Sequence, residues 1–145
     1  MNRWSLPALP VFACLLACSS GDPGATTNAG DFPAQALTTL ASDSGKLSIE
    51  VRTSPEQPPS RGEMSVQFVV RNATGGAPAA GLGIAMTPWM PVMDHGTSTT
   101  PDVSETAPGV YVVNHVALFM PGTWQLRTDI SGPLVDHVAP SLQIP

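Results

Sequence analysis

From Gly45 onward, apolar and polar residues alternate with a period of two. Leu47, Ile49 and Val51 alternate with Ser48, Glu50 and Arg52; Met64, Val66, Phe68 and Val70 alternate with Ser65, Gln67 and Arg71, with Val69 the exception. Leu82, Ile84 and Met86 alternate with Gly83 and Ala85, and Trp124, Leu126, Thr128 and Ile130 with Gln125, Arg127 and Asp129. Val138, Leu142 and Ile144 make a last apolar row. Successive side chains of a strand point to opposite faces, so these rows predict strands with one buried face. Residues 109–119 are more apolar, interrupted only by Asn114 and His115, and they show no clear register. A bulge near Asn114 or His115 would place Tyr111 and Val113 on one face with Val116 and Leu118.

Turn chemistry separates the rows. Pro55, Pro58 and Pro59 lie after the first, residues 72–81 after the second, and Pro108-Gly109, Met120-Pro121-Gly122 and Ser131-Gly132-Pro133 punctuate the rest. Sixteen prolines and thirteen glycines suit many short strands with tight connections, and no stretch carries a helical period with caps. The expectation is an all-β fold: an immunoglobulin-like antiparallel β-sandwich of about seven strands over residues 45–145. PWMPVMDHG, residues 88–96, would end a central strand of it.

The residues before Gly45 read differently. Residues 19–44 are rich in Ser, Gly, Ala, Thr and Asp and show no sustained periodicity, so residues 18–44 are expected to be a disordered tether. In residues 1–17, Arg3 precedes an apolar run broken by Pro7 and Pro10 and too short to span a bilayer comfortably. The run ends Leu15-Leu16-Ala17-Cys18, which resembles a bacterial lipobox. That resemblance implies cleavage before Cys18, lipidation of Cys18 and attachment to a membrane on the extracytoplasmic side. Ser19, where Asp would retain a lipoprotein at the inner membrane, points to the outer membrane and its periplasmic face. An ordinary secretory signal cut somewhat later, with Cys18 lost or free, is the alternative.

Cysteine and charge narrow the chemistry. The only cysteines are Cys14 and Cys18. With Cys14 removed and Cys18 lipidated, no thiol is left for a disulfide, a zinc–thiolate site or a nucleophile. The formal net charge is −5 and there is no basic run, which argues against nucleic acid or an anionic membrane as a partner held by charge.

The densest chemistry is in PWMPVMDHG. Met90, Met93 and His95, joined by Met120 from the Met-Pro-Gly turn, would supply thioether and imidazole donors, the set that suits copper, Cu(I) above all. In an extended segment Met93 and His95 would share a side, and Asp94 could orient the imidazole. The competing reading is a packing corner: Trp89 and Met90 in the core, Met120 under Trp124, and His95 bonded to a backbone carbonyl. His115 reads as a strand histidine, and His137 as the partner of Asp136 at a strand start. No Gly-x-Ser-x-Gly elbow, His-Glu-x-x-His pair or phosphate-cradling glycine loop is present, so no enzymatic activity is expected. Residues 94–108 form a long connection, and long connections tend to bind or move.

Taken in order, residues 88–96, then Gly109-Val110-Tyr111, then Phe119-Met120-Pro121-Gly122-Thr123-Trp124-Gln125-Leu126 resemble the YtkA-like domain, related to the FixH family. The resemblance covers about residues 45–144. It implies an extracytoplasmic immunoglobulin-like sandwich linked to metal handling; the FixH branch is associated with assembly of haem–copper oxidases. A lipobox in place of a membrane-spanning helix departs from FixH. The expected function is therefore a lipid-anchored, non-enzymatic domain that binds or hands on copper. The alternative is an interaction module that docks without metal onto an envelope transporter or oxidase complex.

Overall fold

Each apolar row becomes a strand whose buried face is the one the alternation selects. The computed structural model describes residues 31–145; the expected signal segment 1–17, Cys18 and the tether up to residue 30 lie outside the described residues. Ten strands follow one another: β1 (Thr38–Ala41), β2 (Leu47–Ser54), β3 (Gly62–Asn72), β4 (Gly83–Met90), β5 (His95–Gly96), β6 (Asp102–Ala107), β7 (Val110–Leu118), β8 (Gly122–Ser131), β9 (Asp136–Val138) and β10 (Ser141–Ile144). One sheet has the order β1-β2-β3-β7-β6; the other has β10-β8-β4-β5, with β9 also paired to β8. All pairings are antiparallel. The expected sandwich stands, with more strands than about seven, because β5 and β9 are too short to leave a periodic trace.

The core lies between the sheets. Leu47, Ile49 and Val51 of β2 face Trp124, Leu126 and Ile130 of β8, and all of them are at most 2% exposed. Burying each such side chain contributes about 1.5–3 kcal/mol. Thr128 shares the buried row, and its hydroxyl is satisfied by donating to the Leu126 carbonyl at 3.0 Å. Between β9 and β10, Pro140 cannot donate to the ladder, but its carbonyl accepts the Leu126 N–H at 2.8 Å. One broken strand thereby continues along the same edge of β8.

The stretch 109–119 contains the bulge that would reconcile its two halves, at Asn114 and His115. Met64 pairs with Val116 and Val66 with Val113, so Ser65 alone stands opposite both Asn114 and His115. His115 sits at φ +59, and the Ser65 hydroxyl donates to the Asn114 side-chain carbonyl at 2.8 Å. The extra residue shifts the alternation by one, which keeps Val116 and Leu118 in the core with Tyr111 and Val113.

Three features differ from the sequence pattern. The long connection expected over residues 94–108 contains β5 and β6; β6 pairs with β7 at the edge of the first sheet, and with only Val103 and Ala107 apolar it leaves no row to read. β1 forms inside the segment expected as tether: Thr38–Ala41 pairs with Val51–Ser48 at the edge of the first sheet, and Leu37 and Leu40 pack against the core. Two apolar residues are too few to register as a strand row. β4 is not a central strand: β8 flanks it on one side, but on the other only Trp89 and Met90 have partners, in β5.

The end opposite residue 90 is closed by polar contacts. Tyr111 is buried; its hydroxyl donates to the Ala79 carbonyl at 2.8 Å and accepts the Leu82 N–H at 3.0 Å. Gly109 turns the chain into β7 at φ +73, and a Cβ there would lie 2.6 Å from the Val70 carbonyl oxygen. The Glu105 carboxylate receives the N–H groups of Gly109 at 3.0 Å and Gly81 at 3.1 Å. Asp136 of β9 ties the sheets together: it accepts from the Ser44 N–H at 3.0 Å, the Ser44 hydroxyl at 2.5 Å and the His137 N–H at 2.9 Å. Burial alone would raise its pKa, but the hydroxyls of Ser42 and Ser44 and the two N–H donors outweigh that and hold it well below the usual carboxylate range.

Two outcomes follow for stability. Gly109→Ala is expected to cost at least about 2 kcal/mol in denaturant unfolding, because the methyl meets backbone and φ is left-handed. Asp136→Asn is expected to cost about 2 kcal/mol at neutral pH. The folded-state pKa of Asp136 is depressed, so its contribution is present above the ordinary value of about 3.9 and lost as pH falls below it. Unfolding curves across pH 2–7 should therefore show a shallower acid decline in Asp136→Asn than in the wild type.

Candidate functional site

At the other end, β4 delivers PWMPVMDHG to the rim. Met86, Pro88 and Met90 face inward and are buried, whereas Trp89 points to the outer face and is half-buried. The chain then reverses over residues 91–94. The Met90 carbonyl accepts the Met93 N–H at 3.2 Å, the Pro91 carbonyl accepts the Asp94 N–H at 3.3 Å, and Asp94 takes φ +51. Asp tolerates this left-handed position better than most residues. His95 then pairs with Met90, and Gly96 with Trp89. Gly96 has no room for a side chain: a Cβ would lie 2.9 Å from the Pro88 carbonyl oxygen and 3.4 Å from the Trp89 ring.

This hairpin separates residues that an extended strand would have kept together. Met93 is 59% exposed on the turn and Val92 84%, while His95 is partly buried against Trp124. The alternation argument for Met93 and His95 requires extended backbone, and Asp94 interrupts it.

The second piece is the β7–β8 turn, residues 119–121. Trp124 is buried in the core, and its indole N–H donates to the Met120 carbonyl at 2.9 Å, which fixes that turn. Gly122 follows at φ +127, where a Cβ would come within 3.6 Å of the Met90 methyl carbon. The two pieces meet. His95, Met120 and Trp124, with Gly96, Thr97 and Phe119 among the neighbours, line a cavity of about 170 Å3. The His95 ring stands edge-on to Trp124 with centroids 6.2 Å apart.

The His95 Nδ1 lies 2.9 Å from the Gly96 carbonyl oxygen. A carbonyl can only accept, so Nδ1 carries the proton and the neutral ring keeps its lone pair on Nε2. The orienting partner is thus the Gly96 backbone, in place of the Asp94 carboxylate expected from the sequence. Of the four candidate ligands, the structure puts His95 and Met120 on one cavity wall. Met90 is the cross-strand partner of His95 but is only 4% exposed, and Met93 stands outside on the turn. Among the described residues, no three His, Cys, Asp or Glu side chains gather to hold a metal ion. Any ion held here would therefore depend on thioether sulfur, which selects soft Cu(I) over zinc or calcium.

Other aromatic and histidine readings settle differently. Trp89 is outside the core: the Arg127 guanidinium lies 4.6 Å from its ring centroid, a cation–π contact on the outer face of the second sheet. His137 does not use Asp136 for its ring; Nδ1 is 2.7 Å from an Asp129 carboxylate oxygen across the β8–β9 pair. The His115 Nδ1 is 2.9 Å from a Glu63 carboxylate oxygen, and its Nε2 is 3.8 Å from Asp102. Phe119 was not singled out from the sequence, yet it lines the cavity and is 66% exposed. Its signal was available: it follows the buried Leu118 directly and precedes a Met-Pro-Gly turn.

The Glu63 hydrogen bond and charge, with a smaller contribution from Asp102, raise the His115 pKa above its usual value. The imidazolium contact supports the fold at pH below about 6.5 and is lost as pH rises through the raised value. In an NMR titration, Glu63→Gln should bring the His115 midpoint down.

Residues 43–129 match the sequence model of a family described as YtkA-like. The match spans the β4–β5 hairpin, the Gly109-Val110-Tyr111 turn and the Met120-Pro121-Gly122 turn, and ends within β8. No curated protein and no solved structure matches the chain.

Proposed function

The chain belongs to the YtkA-like family, and from that premise we propose that it is a non-enzymatic, lipid-anchored extracytoplasmic domain that binds copper and hands it on. The anchor is the acyl group on Cys18, placed at the periplasmic face of the outer membrane. The observation that carries the copper reading is the meeting of His95 and Met120 on one cavity wall, with the His95 Nδ1 committed to the Gly96 carbonyl. That commitment leaves Nε2 as the ligating atom. Met120 supplies a thioether from a turn already fixed through Trp124. Met93, exposed on the neighbouring hairpin, is the long flexible side chain that can complete or exchange the coordination. Met90 backs the site from the core. An open site with an exposed methionine on the neighbouring hairpin suits transfer better than storage.

A second reading has its own observation. Val92, Met93 and Phe119 leave an apolar tip exposed at this same end, as a module that docks onto an envelope transporter or oxidase complex would. That reading requires no metal affinity.

Titrating the domain with Cu(I) against a competing chelator separates the two. The wild type is expected to take up copper, and joint replacement His95→Ala and Met120→Ala to weaken it at least ~tenfold, with the fold retained by circular dichroism. Equal affinity in wild type and double variant, or no uptake by either, would remove the copper reading.

A further inference from the structure

Of the four large apolar side chains that stand exposed among the described residues, Val92, Met93 and Phe119 occupy one end of the sandwich and Val135 the other. The strand registers fix which end this is. Phe119 follows Leu118, which pairs with Gly62 at the start of β3; β3 pairs through Ser65 with Ser54 at the end of β2; and Val51 of β2 pairs with Thr38 at the start of β1. The N-terminal segment therefore joins the sandwich at the end that carries the apolar tip. It is held there by the Leu37 N–H donating to the Val51 carbonyl at 2.8 Å, and by the Gln57 side-chain N–H donating to the Gln35 carbonyl at 2.9 Å.

We propose that this tip, Val92, Met93 and Phe119, rests on the lipid surface to which Cys18 anchors the chain. The inference rests on the lipid anchoring proposed above. The chain from Cys18 to Gln35 can span at most about 60 Å when fully extended, and it joins the sandwich at the same end as the tip. A sandwich built on strands as long as the eleven-residue β3 is about 35 Å long. The opposite end can reach the bilayer only if the tether first runs the length of the domain. Tethering keeps the tip at high effective concentration next to the membrane, so three side chains suffice where a free domain would need more. The headgroups must be zwitterionic. Asp94 on the hairpin, Glu56 and Glu63 beside the 55–61 loop and Asp102 at the start of β6 outnumber Arg61 at this end, and anionic lipid would repel them. Docking of this kind would aim the His95–Met120 cavity at the membrane plane, where a membrane-embedded donor or acceptor of the ion would stand.

The test uses the full lipidated chain on phosphatidylcholine vesicles, with a polarity-sensitive thiol dye at Val92→Cys or at Val135→Cys. Both positions are exposed, at 84% and 72%, and the mature chain offers no other free thiol. The expected result is a shift of the emission at position 92 to shorter wavelength, with quenching by nitroxide-bearing lipid. The dye at 135 should keep its aqueous spectrum, and Phe119→Ser should reduce the shift at 92. Aqueous spectra at both positions on protein that floats with the vesicles overturn the docking and leave the anchor standing. Protein that does not float overturns the anchor and the docking with it. A shift at 92 that needs added membrane protein overturns lipid as the occupant.

Discussion

The structure depends on burying two sheet faces against each other with no covalent link between them. Leu47, Ile49 and Val51 on one side and Trp124, Leu126 and Ile130 on the other are removed from water almost completely, and no cysteine pair crosses the described core. Slipping one strand by a single residue would turn its whole row outward, so register carries the burden that a disulfide carries in antibody-type domains. The bulge at Asn114 and His115 is part of the same constraint. It inserts one residue where β7 would otherwise rotate Val116 and Leu118 out of the core.

Such a core leaves its two ends to be closed by other means, and they are closed differently. The far end uses hydrogen bonds: the Tyr111 hydroxyl between Ala79 and Leu82, the Glu105 carboxylate on Gly81 and Gly109, and Asp136 on the turn at Ser44. These contacts run between named backbone and side-chain groups at that end. The near end is closed by larger, softer groups, with Met90 under Gly122 and Trp124 under the Met120 carbonyl. It retains a cavity and an apolar rim. The same fold therefore closes one end with hydrogen bonds and leaves a cavity and an apolar rim at the other.

Within the open end, two constraints set the chemistry. Asp94 in left-handed backbone folds the hairpin, and Gly96, packed against the Pro88 carbonyl, leaves space for neither a side chain nor another register. Together they bring the His95 ring beside Trp124 and place its Nδ1 against a backbone carbonyl. Ring orientation and tautomer follow from the turn and need no carboxylate. Asp94 thus shapes this end through its backbone torsion and not through its carboxylate.

The long strands β2, β3, β4 and β8 and their inward faces were readable along the chain, because period-two alternation is a local property of extended backbone. The sequence also suggested the β7 bulge, since an inserted residue at Asn114 or His115 reconciles the apolar residues on either side with one buried face. The residue types of the soft-donor cluster were legible too, as was the need for Met120 to lie beside PWMPVMDHG. Which of these side chains meet depends on how the strands are folded together. Met93 was lost from the shared side because a left-handed residue ends the alternation, and Trp89 faces Arg127 because its strand parity points it outward. β1 was invisible because an edge strand borrows its order from its partner and needs few apolar residues of its own. Proximity across strands far apart in the chain is set by register and turn geometry, and neither is written in any single stretch of sequence.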